Sequence, residues 1–228
     1  VPRIKHIVFS LLLVAFAVAV AYPQTAPSKT DSKPSTPAPA ATPTAAEYTE
    51  LVTKLKAGDL KIDFAKLRMA FTATKDYSYH GSDATERSKM LKLLAGEKFK
   101  DALKAAEKVL DTQYVNINAH YVAYLSNKNL KNSEKADFHR AVLVGLLSSI
   151  KQDNDGLSTA TPFTVISIEE EYATLRFLGL TVKMQGLNRA DGHTFDVFTV
   201  IDGETKKESK IYFNIDRIWK AETELFSN

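Results

Sequence analysis

At Asp153-Asn154-Asp155-Gly156 the spacing of apolar residues changes from helical to strand-like. Any fold of this chain must therefore join a helical part to a strand-rich part. Upstream, Leu51, Val52 and Leu55 begin a helical pattern, and Phe64, Leu67 and Phe71 continue it at i, i+3 and i+7. Asp59 and Asp63 stand where caps belong, as do Ser82 and Asp83 ahead of Met90, Leu91 and Leu94. Arg68 lies beside the first apolar stripe, which predicts a partner for its guanidinium. Residues 134–151 form the most apolar helical segment, with Phe138, Val142, Leu143, Leu146, Leu147 and Ile150. Such a helix is expected at the centre, packed on more than one side.

Downstream, residues 163–168 read as a short apolar strand. Ser167 with Glu170 three residues on makes a capping box, and Tyr172, Leu175 and Leu178 carry a short helix up to Gly179. Three strand signals follow at 180–187, 194–201 and 210–215, separated by Asp191-Gly192 and Asp202-Gly203, strong hairpin dipeptides. Phe195, Val197, Phe198, Val200 and Ile201 put apolar groups on both faces of the middle strand, which predicts that both faces are covered. The expected fold class is α+β: an N-terminal helical-hairpin layer packed on a C-terminal three- to four-stranded antiparallel meander. The expected organisation is one α+β domain over 46–228, helical over 46–152 and strand-rich over 163–228.

The front of the chain reads differently. Arg3, Lys5 and His6 precede a run over 7–21 that is apolar apart from Ser10 and ends in small-residue pairs, the layout of a secretory signal peptide over 1–21. The run has 15 residues, short of the roughly 20 a spanning helix needs, so no stable membrane span is expected after cleavage. Residues 22–45 are a linker rich in Pro, Ala, Ser and Thr, expected to be disordered because 24–45 hold no aromatic or large aliphatic side chain. The chain has no cysteine, which excludes disulfides, zinc-thiolate sites, thiol catalysis and a bacterial lipoprotein anchor. The pattern predicts export to the periplasm or the exterior.

Charge narrows the partners. Of 30 Lys and Arg, Arg3 and Lys5 leave with the signal, so 28 face 27 Asp and Glu. Lys98, Lys100, Lys104 and Lys108 alternate with Glu97, Asp101 and Glu107, as on a solvated helix face, so nucleic acid is not an expected partner. Around Asp153 an EF-hand register fails, since its first and twelfth positions would be Lys151 and Pro162.

Few residues suggest chemistry. His120 and His139 each adjoin an apolar helix face, and antiparallel packing of their helices would bring the imidazoles together. Glu169, Glu170 or Glu171 would then complete a metal or acid–base site, with Glu170 and Glu171 the catalytic candidates. The plainer reading is two partly buried histidines bonded to carbonyls or tyrosines, and carboxylates that stabilise a helix N-terminus. Ser148 and Lys151 match an S-x-x-K spacing without the companion Lys-Thr-Gly element. There is no Gly-x-Ser-x-Gly, phosphate-cradling Gly-rich loop or His-Glu-x-x-His, and no cofactor is expected. Tyr77 and Tyr79, in a loop, and Trp219 and Phe226, near the end, are candidate recognition aromatics.

Two resemblances follow. Gly96, Phe99, Ala102-Leu103, Ala106 and Leu110, then Ala119, Tyr121, Tyr124 and Leu125, resemble one tetratricopeptide-type hairpin over 96–125, with Gly where two helices approach closely, although no proline follows Leu110. More broadly, residues 62–68, Asn118-Ala119-His120, Phe138-His139-Arg140, 165–172, Phe195-Asp196-Val197 and 212–216 resemble, in order, the landmarks of the bacterial domain of unknown function family 4919. That resemblance implies an exported bacterial protein with no established activity and no known cofactor. The expected function is a non-catalytic binding or scaffold module of the cell envelope or exterior with a protein or peptide partner. The alternative is a small metal-dependent or acid–base hydrolase using His120, His139 and a Glu of 169–171.

Overall fold

A computed structural model describes residues 42–225, so the expected signal peptide, nearly all of the linker and Phe226 lie outside the described residues. Six helices come first: α1 (Ala45–Lys56), α2 (Phe64–Phe71), α3 (Ala84–Ala95), α4 (Phe99–Leu110), α5 (Ile117–Asn129) and α6 (Ser133–Lys151). Then follow β1 (Phe163–Thr164), α7 (Ile168–Phe177), β2 (Leu180–Ala190), β3 (His193–Asp202), β4 (Glu208–Asn214) and α8 (Asp216–Leu225). The mixed architecture is the expected α+β one.

Short polar side chains start several of these helices. Thr44 and Glu47 form a reciprocal capping box on α1, Asp63 accepts from Lys66 N, and Asp83 accepts from Thr85 N and Glu86 N. Asn116 caps α5 by accepting from Ala119 N. From α3 to α6, successive helices pack on their neighbours as hairpins. Gly96, expected at a helix crossing, instead sits at the C-terminal cap of α3. The glycine at a crossing is Gly145 of α6, where an added Cβ would lie 2.4 Å from the Phe64 ring. The most enclosed helix is α5, buried from Ile117 to His120 and again at Val122, Ala123, Ser126 and Asn127. The longer α6 packs on α5, α2 and β1 but leaves Val144 exposed. Its apolar content therefore overstated its centrality, because much of the burial in α5 falls on small and polar residues such as Asn118, Ala119, His120, Ser126 and Asn127.

The sheet order is β1-β4-β3-β2. β2, β3 and β4 form the expected antiparallel meander, and Asp191 and Gly192, both at positive φ, close the two-residue turn between β2 and β3. The strand expected over 163–168 shrinks to Phe163–Thr164 and pairs parallel to β4, so the sheet is not wholly antiparallel. Its remaining residues turn into the N-terminus of α7. Coverage of the sheet is also less complete than expected. Phe198 and Val200 face the core, and Phe195 is buried where α8 packs on β3. β2 is a solvent-facing edge, with Met184 67% and Leu187 53% exposed. The core is otherwise continuous from Leu55 through Ile150 to Phe213 and Ile218.

Candidate functional site

The polar centre of the molecule is the first turn of α7, where Glu169, Glu170 and Glu171 are all buried. Consecutive helix residues point roughly 100° apart, so three adjacent carboxyls reach three different neighbours. Burying three carboxyls is costly unless each is paired, hydrogen-bonded or neutral, and each of those solutions occurs here.

Glu170 meets Arg68 of α2, which is fully enclosed at 0% exposure. Arg68 Nε donates to Oε1 at 2.8 Å and Nη2 to Oε2 at 2.5 Å, a two-pronged ion pair. Arg68 also donates to Thr164 O at 2.8 Å and Ser149 Oγ at 3.4 Å, while Ile166 N donates to Glu170 Oε2 at 2.9 Å. One guanidinium thus joins α2, α6, β1 and α7. The sequence-level capping box is only half present. Ser167 Oγ accepts from Glu170 N at 3.3 Å, but the Glu170 carboxylate turns to Arg68 instead of back to its cap. A buried guanidinium outcompetes a backbone N–H for it.

Glu169 sits in a cage of mostly neutral donors, with one guanidinium at its edge. Its Oε2 accepts from Ser82 N (2.6 Å), Ser82 Oγ (2.7 Å) and Asn116 Nδ2 (3.2 Å), with Arg87 Nη1 at 3.4 Å. Its Oε1 accepts from Asn118 Nδ2 at 2.6 Å, and Arg176 of α7 donates to Asn118 Oδ1. The loop into α3 is pressed against this cage. Gly81 has φ +89°, and an added Cβ would lie 2.4 Å from Glu169 Cβ. Gly81→Ala is expected to cost about 2–4 kcal/mol through backbone strain and overpacking, measured by urea unfolding. A cost within about 0.5 kcal/mol, the scale of an ordinary surface change, would contradict so tight a cage.

Glu171 is at 0% exposure and faces the sheet. No partner stands in hydrogen-bonding geometry to either of its oxygens. Burial, with the Asp196 carboxylate of β3 nearby, pushes its pKa up to about 9. A proton on Glu171 reconciles its burial with the neighbouring carboxylate. Asp196 is itself held by Gln185 Nε2 at 2.8 Å, and Gln185 Oε1 accepts from Tyr172 Oη at 2.9 Å.

The histidines do converge. His120 Nδ1 and His139 Nδ1 are 3.0 Å apart, and His120 Nε2 is 3.0 Å from Tyr114 O. A carbonyl only accepts, so His120 carries its proton on Nε2 and its Nδ1 accepts from His139 Nδ1–H. Burial lowers the pKa to about 3 for His120, with His139 adding to the effect, and to about 4 for His139, where Lys135 adds to it. Glu169 and Glu170 are bonded elsewhere and Glu171 faces the sheet, and no group of three His, Asp or Glu among the described residues is placed to hold a metal. Because both folded pKa values lie below the ordinary 6.5, the stability this pair contributes is full above about pH 6.5 and falls as pH drops toward 4. Urea titrations from pH 7 to 4 are expected to show this loss, and His139→Phe to reduce it. An unchanged slope in the variant would contradict the neutral pair.

The candidate recognition aromatics are tied into the fold. Tyr77 Oη donates to Ile166 O at 2.7 Å, and Tyr79 O accepts from Ile168 N at 2.8 Å, so their loop seats the N-terminus of α7. Trp219 is half-buried beneath the Arg189 guanidinium, 4.6 Å from its ring centre. Sequence reasoning missed Ser82, Asn116, Asn118, Gln185 and Asp196, which surround the glutamates. Of these, Ser82 stood in the sequence only as a possible cap, and Asn118 and Asp196 only among the ordered landmarks.

Two concavities flank these elements. A void of about 20 Å³ lies among Phe71, Tyr77, Asn116, Ser167, Glu169 and Glu170, enough for one water. An open groove of about 740 Å³ runs along α3. No helix among the described residues is long and apolar enough to cross a membrane. The model of one family, a domain of unknown function (DUF4919), matches residues 42–224. No curated protein and no solved structure matches the chain.

Proposed function

We propose that this chain, which belongs to the DUF4919 family, is a non-catalytic binding module that is exported and acts in the cell envelope or exterior. The export part rests on the signal-like pattern of residues 1–21 and the linker composition that follows. One observation carries the binding part: the two charged carboxylates of the buried cluster are consumed by the fold. Glu170 is spent on Arg68 and Glu169 on its cage, and the adjoining void of about 20 Å³ would hold a water and no substrate. The larger concavity is an open face along α3, where every lining residue but Leu93 is exposed.

The hydrolase alternative asks His120 to act from full burial with Nε2 committed to a backbone carbonyl. A general base needs a free lone pair within reach of its substrate proton, and His120 has none, with Nε2 at a carbonyl and Nδ1 accepting from His139. The test is capture of partners from envelope extract by the immobilised full-length protein, with excess free protein as competitor. A partner retained reproducibly and released by competition is the expected result. Repeated capture of nothing that the free protein displaces would contradict the proposal.

A further inference from the structure

Beyond the binding-module reading and independent of it, we propose that this chain pairs with a second copy of itself through the free edge of β2, antiparallel and centred on Leu187. Among the described residues β2 is the outer strand of the sheet and pairs only with β3. Every residue from Lys183 to Arg189 is exposed. Asp191 and Gly192 form a two-residue turn, so the flanking Ala190 and His193 are a hydrogen-bonded pair. Bonding then alternates along the ladder. Met184, Gly186, Asn188 and Ala190 bond to β3, and the N–H and C=O groups of Gln185, Leu187 and Arg189 point out to solvent.

Sheet edges are ordinarily blunted by shortness, lysine, proline or a bulge. The opposite edge follows that rule, because β1 has only two residues. β2 follows it at one end alone, where the register shifts between Val182 and Met184 and leaves Lys183 at a bulge. From Met184 to Ala190 the ladder is regular and holds neither proline nor lysine. Its two exposed apolar side chains, Met184 and Leu187, stand on opposite faces.

The strand is self-complementary in one register. Leu187 is the midpoint of the regular stretch from Met184 to Ala190. A two-fold axis there sets Leu187 against Leu187 of the second copy, Gln185 against Arg189 and Met184 against Ala190. All the outward backbone groups then find partners in an isologous contact, and an apolar pair falls on each face. The bulge at Lys183 meets the other copy's turn at Asp191, so opposite charges meet where the ladder ends. An axis at Gly186 would instead oppose Lys183 and Arg189, like charges that repel. An axis at Asn188 would run Gln185 into the turn.

Gly186 fits the same arrangement. Its φ lies outside the left-handed region, and an added Cβ would meet nothing within 4 Å in one copy. In the pair it stands opposite Asn188 at a non-hydrogen-bonded position, where Cα atoms approach to about 4.5 Å. Since β1 offers no second edge of this length, the pairing closes at two copies.

Sedimentation velocity of the full chain from about 1 to 300 μM is expected to show a shift from one copy to two. Leu187→Lys puts two ammonium groups on the axis and is expected to weaken pairing at least about tenfold, and Leu187→Glu likewise. Leu187 is exposed in the single chain, so both variants should keep the parent's circular dichroism and urea midpoint. Mixed one to one, the two variants oppose unlike charges and should recover the dimer. A single-copy mass throughout the range, a dimer that Leu187→Lys leaves intact, or a mixture no more dimeric than either variant alone would overturn the assignment. Capture of an envelope partner is a separate readout, so either reading can fail without the other.

Discussion

Arg68→Ala is expected to lower the free energy of unfolding by about 3–5 kcal/mol, the range for breaking a buried ion pair by removing one partner. The cost comes mainly from what remains. Glu170 would stay buried, with Ile166 N and the backbone N–H groups of its own turn as compensation, and Thr164 O and Ser149 Oγ would lose their guanidinium donor. Arg68→Met combined with Glu170→Leu removes both charges and keeps apolar volume, so the double variant should recover most of the loss. Urea unfolding of the two singles and the double gives the coupling directly. A loss below about 1 kcal/mol in Arg68→Ala, the scale of an exposed pair, would mean that this pair does not join the helical and strand-rich parts.

Glu171→Gln is expected to stabilise the protein under alkaline conditions. In the fold, burial and the nearby Asp196 keep the proton on up to about pH 9, against an ordinary value of 4.5. Unfolding therefore releases a proton at every pH between those limits. The contribution of Glu171 is full below about pH 4.5 and is lost progressively as pH rises toward 9, by up to about 1.4 kcal/mol per pH unit. The substituted amide would not titrate, and it can donate toward Asp196. At pH 8 the variant is expected to exceed the parent by about 2–4 kcal/mol, with a flatter alkaline slope. The histidine pair acts on the opposite limb, so the parent should be most stable near pH 6–7. Glu171→Gln and the parent showing the same alkaline slope would place the titrating group elsewhere.

Much of the scaffold was legible in the sequence because it rests on local chemistry. Asp63, Asp83 and Ser167 cap their helices through their own side chains, and Asp191-Gly192 closes a hairpin by backbone preference alone. Arg68 was readable as a guanidinium in need of a partner, because a charge beside an apolar stripe cannot be left alone. Which partner was not readable: Glu170 lies 102 residues away, and its local capping pattern offered a sufficient explanation nearby. The same holds for Glu169 and Glu171, whose different environments depend on Asn118 and Asp196, brought in by tertiary packing. β1 pairing parallel to β4 was likewise invisible, since two residues carry no periodicity. The convergence of His120 and His139 followed from antiparallel helix packing, and partial burial with a carbonyl partner was the plainer reading, but their mutual bond was not legible.

Glu169 and Glu170 are spent on holding the fold together, and Glu171 is buried beside them as a neutral acid. Carbon-13 NMR of the glutamate side-chain carboxyls, followed from pH 4 to 10 and assigned through Glu171→Gln, tests this most directly. The expected result is a Glu171 resonance that stays protonated through pH 8 and changes near pH 9, together with loss of the folded spectrum. A Glu171 carboxyl that ionises near its ordinary 4.5 while the protein remains folded would contradict it.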